Sequence, residues 1–263
     1  MTATRARARS AASPSLVFLH GLGGSSADWS AAISFLPSRF RVVAPDLPGS
    51  SLAAGSLRTW TPAAFAAWVG DLIRKEGLES PHLVGHSLGG RVAGELAAAN
   101  GFLSSLLLVA PLGAAGYSLT DRLKWKAMSR TAILRSVSEA QMRRALSYGF
   151  VSEGPGKQGF VERALAARTG PGAAAATEAI ERSVDGILEA PPLTDRLRGG
   201  KAPLGLVAGG EDPLVAPEEV QKLVRVRTDA RLFSLHRQGH YPMLDDPRGF
   251  AEIVERFLEG VEG

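Results

Sequence analysis

The feature that most constrains this chain is a serine placed between glycines where a short apolar segment gives way to a helix-forming one. Residues 82–91 read HLVGHSLGGR, with Gly85, Ser87 and Gly89 spaced as G-x-S-x-G, and RVAGELAAA follows. A simple turn does not need a serine, because Asn-Gly or Asp-Gly forms turns readily. This spacing between a strand and a helix is typical of a strained turn that presents a serine hydroxyl as a nucleophile.

Strand-like and helix-like segments alternate along most of the chain, which predicts a parallel sheet with helices on its faces. The predicted strands are 16–19, 41–45, 82–86, 104–111, 203–209 and 230–236. The alternation stops between 113 and 190, where the sequence is mainly helical and contains no strand-like run. We therefore expect a flexible basic tail over 1–15, an α/β core over 16–112 and 191–263, and a helical cap inserted at 113–190.

Charge and cysteine content narrow the classes of partner. The chain has no cysteine, so it has no disulfide, no thiolate metal site and no cysteine nucleophile, which is compatible with the expected cytoplasmic location. Three of the four net positive charges lie on Arg5, Arg7 and Arg9, so the body of the chain offers no basic stripe for nucleic acid. No apolar run approaches the ~20 residues that span a bilayer, and the basic start lacks the apolar segment of a secretory signal. We expect a small-molecule substrate, and the oligomeric state stays open.

A serine nucleophile needs a base, and His240 is the best placed of the five histidines. It lies in QGHYPMLDDP after the last predicted strand, from where a loop can reach across the carboxyl edge of the sheet. His86 is adjacent to Ser87, but neighbouring residues of a strand point to opposite faces. His20 and His82 lie at strand ends and are interpreted as structural. His82 and His86 would be ~13 Å apart on a strand, too far to share a metal, so no metal site is predicted.

The third member of the site should be an acid that orients the histidine. Asp212, in AGGEDPLVAP, follows the strand before that of His240 and lies between the serine and the histidine in the sequence. Glu211 is the alternative. Asp245 and Asp246 come after the histidine, which is the wrong order for this arrangement.

A second glycine-rich loop, HGLGG at 20–24, follows the first predicted strand. We expect the backbone N–H groups of Leu22 and Leu88 to be the two donors that stabilise a developing oxyanion. A phosphate-binding loop is excluded, because the pattern G-x-x-x-x-G-K-[ST] is absent.

The segments HGLGG, DLPGSS, GHSLGG, GGEDPLVAP and GHYPMLDDP, in this order, resemble the α/β-hydrolase superfamily. The resemblance covers the whole core and implies a mostly parallel sheet of about eight strands with a helical cap after the sixth. Only 15 residues precede the first predicted strand, so a shortened N-terminal edge is expected. A serine at the turn, in place of an aspartate, separates the chain from the epoxide-hydrolase and haloalkane-dehalogenase branches.

Three functional hypotheses follow. The first is a carboxylesterase-like serine hydrolase that cleaves a small carboxylic ester or a related acyl compound through a Ser-His-Asp triad and an acyl-enzyme, without cofactor or metal. The second is a carbon–carbon bond hydrolase or lyase that acts on an acidic dienoic or keto-acid substrate. It rests on SLVFLHG and SLGGRVA, which are similar to the menaquinone-pathway synthase, and on the core shared with meta-cleavage-product hydrolases. The third is a non-catalytic receptor built on the same fold.

Substrate-binding residues are harder to predict. Arg91 lies in the first turn of a helix, where a cation opposes the helix dipole. It either pairs with Glu95 or another surface acid, or it binds a substrate carboxylate. The aromatic candidates for the substrate pocket are Trp125, Tyr148 and Tyr241, with Tyr117 and Phe150 as further possible walls.

Overall fold

The structure, a computed structural model, describes residues 4–6, 13–50, 57–99 and 101–262. The strands of this part of the chain are β1 (Thr4–Ala6), β2 (Ser15–Leu19), β3 (Arg41–Ala44), β4 (His82–His86), β5 (Ser105–Val109), β6 (Leu204–Gly209) and β7 (Arg231–Leu235). A 3-10 turn, Ser26–Trp29, precedes the first α-helix.

The helices fall into two groups. Those that alternate with the strands or follow them are α1 (Ser30–Phe35), α2 (Pro62–Lys75), α3 (Leu88–Ala99), α9 (Leu193–Leu197), α10 (Pro217–Val226), α11 (Pro242–Asp245) and α12 (Pro247–Glu262). Those of the segment between β5 and α9, here called the helical block, are α4 (Leu119–Ser129), α5 (Thr131–Ser136), α6 (Glu139–Ser147), α7 (Pro155–Thr169) and α8 (Ala173–Glu189).

The strands form one sheet in the order β1-β3-β2-β4-β5-β6-β7. β1 pairs antiparallel with β3, and the other neighbouring strands pair in parallel. Because β2 lies between β3 and β4, the direction of winding reverses at β2. Open α/β sheets bind ligands outside the carboxyl ends of the strands at such a reversal, which places the loops after β2 and β4 at the expected position of a site.

The fold class is as predicted, and three details are corrected. The described residues form seven strands and not eight. The helical block follows the fifth of these strands and not the sixth, because the leading edge is shorter. Within the expected flexible tail, Thr4–Ala6 pair with β3 as an edge strand and Ser15 begins β2. Residues 1–3 and 7–12 of that tail, and Ser51 of the DLPGSS motif, lie outside the described residues.

Hydrophobic cores cover both faces of the sheet. All five residues of β4 are buried, and Leu83 and Val84 belong to different cores. One core lies beneath α2, α3 and α10, and the other beneath α1 and α12. Parallel strands covered on both faces are expected to be continuously apolar, which is why these segments were recognisable in the sequence.

Local sequence signals set the starts of several helices. The Thr61 side chain accepts a hydrogen bond from the N–H of Ala64, and Pro62 occupies the first position of α2. In the helical block, Ser118 and Ser138 each form a capping box, which satisfies backbone donors that a helix end would otherwise leave free.

Candidate active site

Ser87 sits in the turn between β4 and α3 with a φ angle of 54°, in the left-handed region that side chains rarely adopt. The backbone around it is held from both sides. Its N–H donates to the carbonyl of Val109 at 2.9 Å, and its own carbonyl accepts from the N–H of Leu112 at 3.2 Å. A β-carbon on Gly85 or Gly89 would collide with neighbouring backbone. The G-x-S-x-G spacing is therefore what permits this strained turn to close.

Asp212 and His240 are joined by a hydrogen bond of 2.8 Å between Oδ2 of the carboxylate and Nδ1 of the ring. Both side chains are buried. The second carboxylate oxygen of Asp212 accepts the N–H groups of Leu214 and Val215 at 2.8 and 2.9 Å. Asp212 is thus itself fixed by backbone donors, whereas the alternative residue Glu211 is exposed.

The glycine-rich loop after β2 approaches the serine closely. A β-carbon on Gly21 would lie 3.3 Å from Cβ of Ser87. Leu22 and Leu88 line one small cavity of about 20 Å³ beside it. Among the described residues, no hydrogen bond acceptor is found for the backbone N–H of either leucine.

His20 braces this loop. Its Nδ1 lies 2.8 Å from the carbonyl oxygen of Gly21, and the N–H of Leu47 donates to its Nε2 at 2.9 Å. The proton is therefore on Nδ1, and the ring links the glycine loop to the loop after β3. His82 lies 2.8 Å from the hydroxyl of Ser105 within the core. Neither histidine has a geometry that suits a base for Ser87.

His86 is the residue that sequence reasoning set aside and the structure places at the centre of the site. Its Nε2 donates to the carbonyl oxygen of His240 at 2.8 Å, and the centroids of the two rings are 4.6 Å apart. Burial, and then the neighbouring His240, lower the pKa of His86 well below its usual 6.5. No sequence signal could have revealed this contact, because 154 positions separate the two residues.

The helical block touches the loop that carries His240. The N–H of His240 donates to the carbonyl of Gly149 at 2.7 Å. The ring of Phe150 stacks on that of Tyr241 with centroids 4.4 Å apart. A further link, 2.8 Å between Arg163 and Asp28, joins α7 to the 3-10 turn after the glycine loop.

Arg91 is buried, and protein acceptors bind both Nη atoms of its guanidinium, whereas Nε has no hydrogen-bond partner among the described residues. The side chain is 1% exposed and donates to Glu95 at 2.6 Å and to the carbonyl of Pro191 at 2.7 Å. A weaker contact of 3.4 Å reaches the carbonyl of Gly113. The expected partner Glu95 is therefore correct, but the pair is not at the surface, and the guanidinium is engaged by protein acceptors and not held ready for a substrate carboxylate.

The aromatic residues predicted to line the substrate pocket lie in different surroundings in the structure. Tyr148 is 63% exposed. Trp125 and Tyr117 border an apolar void of about 10 Å³ that Leu22 also lines. Tyr241 packs among Phe150, Phe160, His86 and His240. The larger cavity near the glycine loop, about 310 Å³, lies between Gly23–Ser25 and α7.

The described part of the chain has neither a metal-binding cluster nor a membrane-spanning helix. No group of three His, Asp or Glu side chains could hold a metal ion. Among the helices at 30–262, none is both long enough and apolar enough to cross a membrane.

Sequence comparison shows a match to a family model and similarity to a protein named as an esterase. The model of the "Alpha/beta hydrolase family" matches residues 16–253. A pimeloyl-[acyl-carrier protein] methyl ester esterase of Aeromonas hydrophila is 28% identical over 256 residues, which cover 93% of this chain and 95% of that protein.

Solved structures of the same fold have different activities in their names. A thermophilic esterase from Thermogutta terrifontis superposes with a TM-score of 0.82 at 21% identity, covering 95% of this chain and 91% of that one. A meta-cleavage product hydrolase, CumD, superposes with a TM-score of 0.76 at 18% identity, covering 94% and 91%. At these identities the likeness shows the fold alone.

Proposed function

We propose that the chain, which belongs to the α/β hydrolase family, is a serine hydrolase that cleaves a small carboxylic ester or a related acyl compound. Ser87 is the nucleophile, His240 the general base and Asp212 the acid that orients it. The observation that carries the proposal is the buried Asp212–His240 hydrogen bond in a site where Ser87 occupies a strained turn. Strain at a single non-glycine residue persists only where the surroundings enforce it, and such residues cluster at active sites.

The first half of the reaction forms an acyl-enzyme. The hydroxyl oxygen of Ser87 attacks the ester carbonyl carbon while Nε2 of His240 takes its proton. Because Asp212 accepts from Nδ1, the neutral ring has its lone pair on Nε2, and the imidazolium that forms is stabilised. The tetrahedral intermediate then expels the alcohol, which takes the proton from His240.

The second half releases the acid. A water molecule gives its proton to His240 and attacks the acyl carbon, and collapse of the intermediate returns the proton to Ser87. In both halves, the negative charge on the carbonyl oxygen is stabilised by the N–H groups of Leu22 and Leu88. Loss of one such donor costs about 3–4 kcal/mol in other serine hydrolases.

The space beside these donors admits no more than a small acyl group. The two voids that Leu22 borders are about 10 and 20 Å³, each about the volume that one water molecule needs, and are lined mainly by apolar side chains. The 310 Å³ cavity beside the glycine loop offers more room, in a space between the core and α7. We assign the small voids to the acyl side and the larger cavity to the leaving group, with residues 113–190 acting as the cap.

The alternative, carbon–carbon cleavage of an acidic substrate, loses one of its supports. Arg91 is a candidate to bind a substrate carboxylate, but its guanidinium is bound to Glu95 and backbone carbonyls. The esterase relative, which matches this chain over 95% of its own length, favours ester hydrolysis.

The test is reaction of the purified protein with a fluorophosphonate probe and with a panel of short-chain nitrophenyl esters. Stoichiometric labelling located on Ser87 by peptide mass spectrometry, with ester turnover that Ser87→Ala abolishes, is the expected result. Labelling elsewhere, or turnover that survives in Ser87→Ala, would reject the assignment. A parallel panel of dienoic keto-acids tests the alternative, which gains support only if these are turned over faster than the esters.

A further inference from the structure

His86 is a buried, titratable side chain that the proposed mechanism does not use. It is the last residue of β4, and its ring is enclosed by Trp29, His240 and Tyr241. A β-carbon on Gly21 would lie 2.8 Å from its Nδ1. The ring thus fills the space between the glycine loop and the histidine loop.

The polar contact of this ring is to the main chain of His240. A carbonyl oxygen can only accept, so Nε2 of His86 carries the proton and donates across 2.8 Å. A buried carbonyl without a donor is unfavourable. Without this bond, the loop would shift or the carbonyl of His240 would accept a hydrogen bond from another group.

Three hydrogen bonds from three parts of the chain then meet at one residue. The N–H of His240 is held by Gly149 at 2.7 Å, its ring by Asp212 at 2.8 Å and its carbonyl by His86 at 2.8 Å. Asp212 fixes the ring's tautomer, but it does not by itself fix the backbone from which the ring projects. Small displacements of a catalytic group cost rate steeply, so backbone position matters for turnover.

We propose that His86 is a positioning residue that donates through Nε2 to the carbonyl of His240. This hydrogen bond holds the catalytic imidazole where it can accept the proton of the Ser87 hydroxyl. The inference rests on the proposed serine-hydrolase function. It assigns His86 no proton transfer to the substrate and no contact with it.

The proposed base requires a neutral ring beside it. A second positive charge at a ring-to-ring distance of 4.6 Å would disfavour the imidazolium that His240 becomes during turnover. Burial and the neighbouring His240 lower the pKa of His86, which keeps the donor tautomer neutral.

The following variants distinguish the effect of losing the hydrogen bond from the effect of losing the packing of the ring. His86→Phe keeps a ring and removes the donor, and His86→Gln keeps an N–H near the position of Nε2. His86→Asn has the same amide on a shorter arm that does not reach. His82→Phe, four positions earlier in the same buried strand, is the matched control for loss of a core histidine.

The measurements are kcat and KM for a nitrophenyl ester that the wild type cleaves, the rate of fluorophosphonate labelling, and the thermal midpoint. We expect His86→Phe to lower kcat and labelling at least tenfold with KM within about twofold, and His86→Gln to recover to within about threefold of wild type. His82→Phe should lower the midpoint while kcat stays within about twofold. The proposal is overturned if His86→Phe keeps kcat within twofold, or if His86→Gln loses as much as His86→Phe.

If His86→Phe does not fold, the pair His86→Gln and His86→Asn decides, since a faster Gln variant supports the proposal and equal rates overturn it. The proposal can fail independently of the proposed function. A wild type that the probe labels, with His86→Phe labelled equally fast, overturns the positioning role alone. A wild type that the probe does not label overturns the serine-hydrolase function and the positioning role with it.

Discussion

The main-chain N–H of His240 donates a hydrogen bond of 2.7 Å to the carbonyl oxygen of Gly149. His240 belongs to the α/β core and Gly149 to the helical block, so the block supports the loop that carries the proposed base. The sequence predicts that residues 113–190 form a cap. The contact gives the helical block a second role, because a change in the block can alter the turnover rate by displacing the backbone of His240.

Gly149→Ala tests this role. A β-carbon there would lie 2.7 Å from the ring of Tyr241 and 3.0 Å from Cβ of His240, so the loop must shift. We expect kcat to fall about tenfold or more, since misplacement by about 1 Å can cost a hundredfold. Gly101→Ala, where an added β-carbon meets nothing within 4 Å, is the control and should leave kcat unchanged. An unchanged kcat in Gly149→Ala would mean that the loop position does not depend on the block.

Ser87 and His240 should act as one unit. Ser87→Ala and His240→Ala should each abolish almost all turnover. The double variant should be little worse than either single variant, because nucleophile and base act in the same step and neither accelerates it without the other. The measurement is kcat for the same ester in all three variants. Losses that multiply would show that the two residues act separately.

Asp212→Asn should lower kcat by about 10⁴. The amide can still accept from Leu214 and Val215 through its oxygen, but its NH₂ group would face Nδ1 of His240 and favour the wrong tautomer. Glu211→Gln, a change of the same kind at the exposed neighbour, should leave kcat close to that of the wild type. A reversed result would assign the orienting role to Glu211.

Arg91→Met should destabilise the protein without changing its preference between substrates. Removing one partner of a buried ion pair costs about 3–5 kcal/mol, and the carbonyl of Pro191 also loses its donor. Because Arg196 also pairs with Glu95, at 3.0 Å, the carboxylate keeps one cation, and we expect the lower end of that range. Arg74→Met, which breaks an exposed pair with Asp71, should cost less than about 1 kcal/mol. Urea unfolding measures both. A selective loss of kcat/KM for anionic esters in Arg91→Met would instead revive the carboxylate-binding hypothesis.

His86 should make the folded state sensitive to acid. Its pKa is lowered in the folded protein from the usual 6.5, mainly by burial. Below about pH 6.5, His86 therefore binds a proton in the unfolded chain but not in the folded protein. The free energy of unfolding is therefore highest above that pH and falls as the pH drops, by up to ~1.4 kcal/mol per pH unit for this group. Unfolding of wild type and His86→Gln at pH 7.5, 6.5 and 5.5 should show a shallower fall in the variant. His236→Gln, at an exposed histidine, should retain the wild-type slope, and an equal slope in all three proteins would contradict the prediction.

The fold class and the residues of the candidate site can be predicted from the sequence. Apolar runs at β2, β4 and β5 were readable because strands buried on both faces need continuous hydrophobic side chains. The G-x-S-x-G turn was readable because only glycine fits where Gly85 and Gly89 approach other backbone. Asp212 and His240 followed from the order of loops along one sheet edge, which is a consequence of parallel winding.

The surroundings of those residues depend on packing between distant parts of the chain and are seen only in the folded protein. Whether Arg91 faces a substrate or Glu95 depends on how α3 packs against the segment around Pro191, which is 100 positions away. The contacts of His240 with His86 and Gly149 likewise join loops distant in the chain. Periodicity and spacing report which face of its own element a residue occupies. They carry no information on which other element lies against that face, and here that packing sets both the burial of Arg91 and the support of His240.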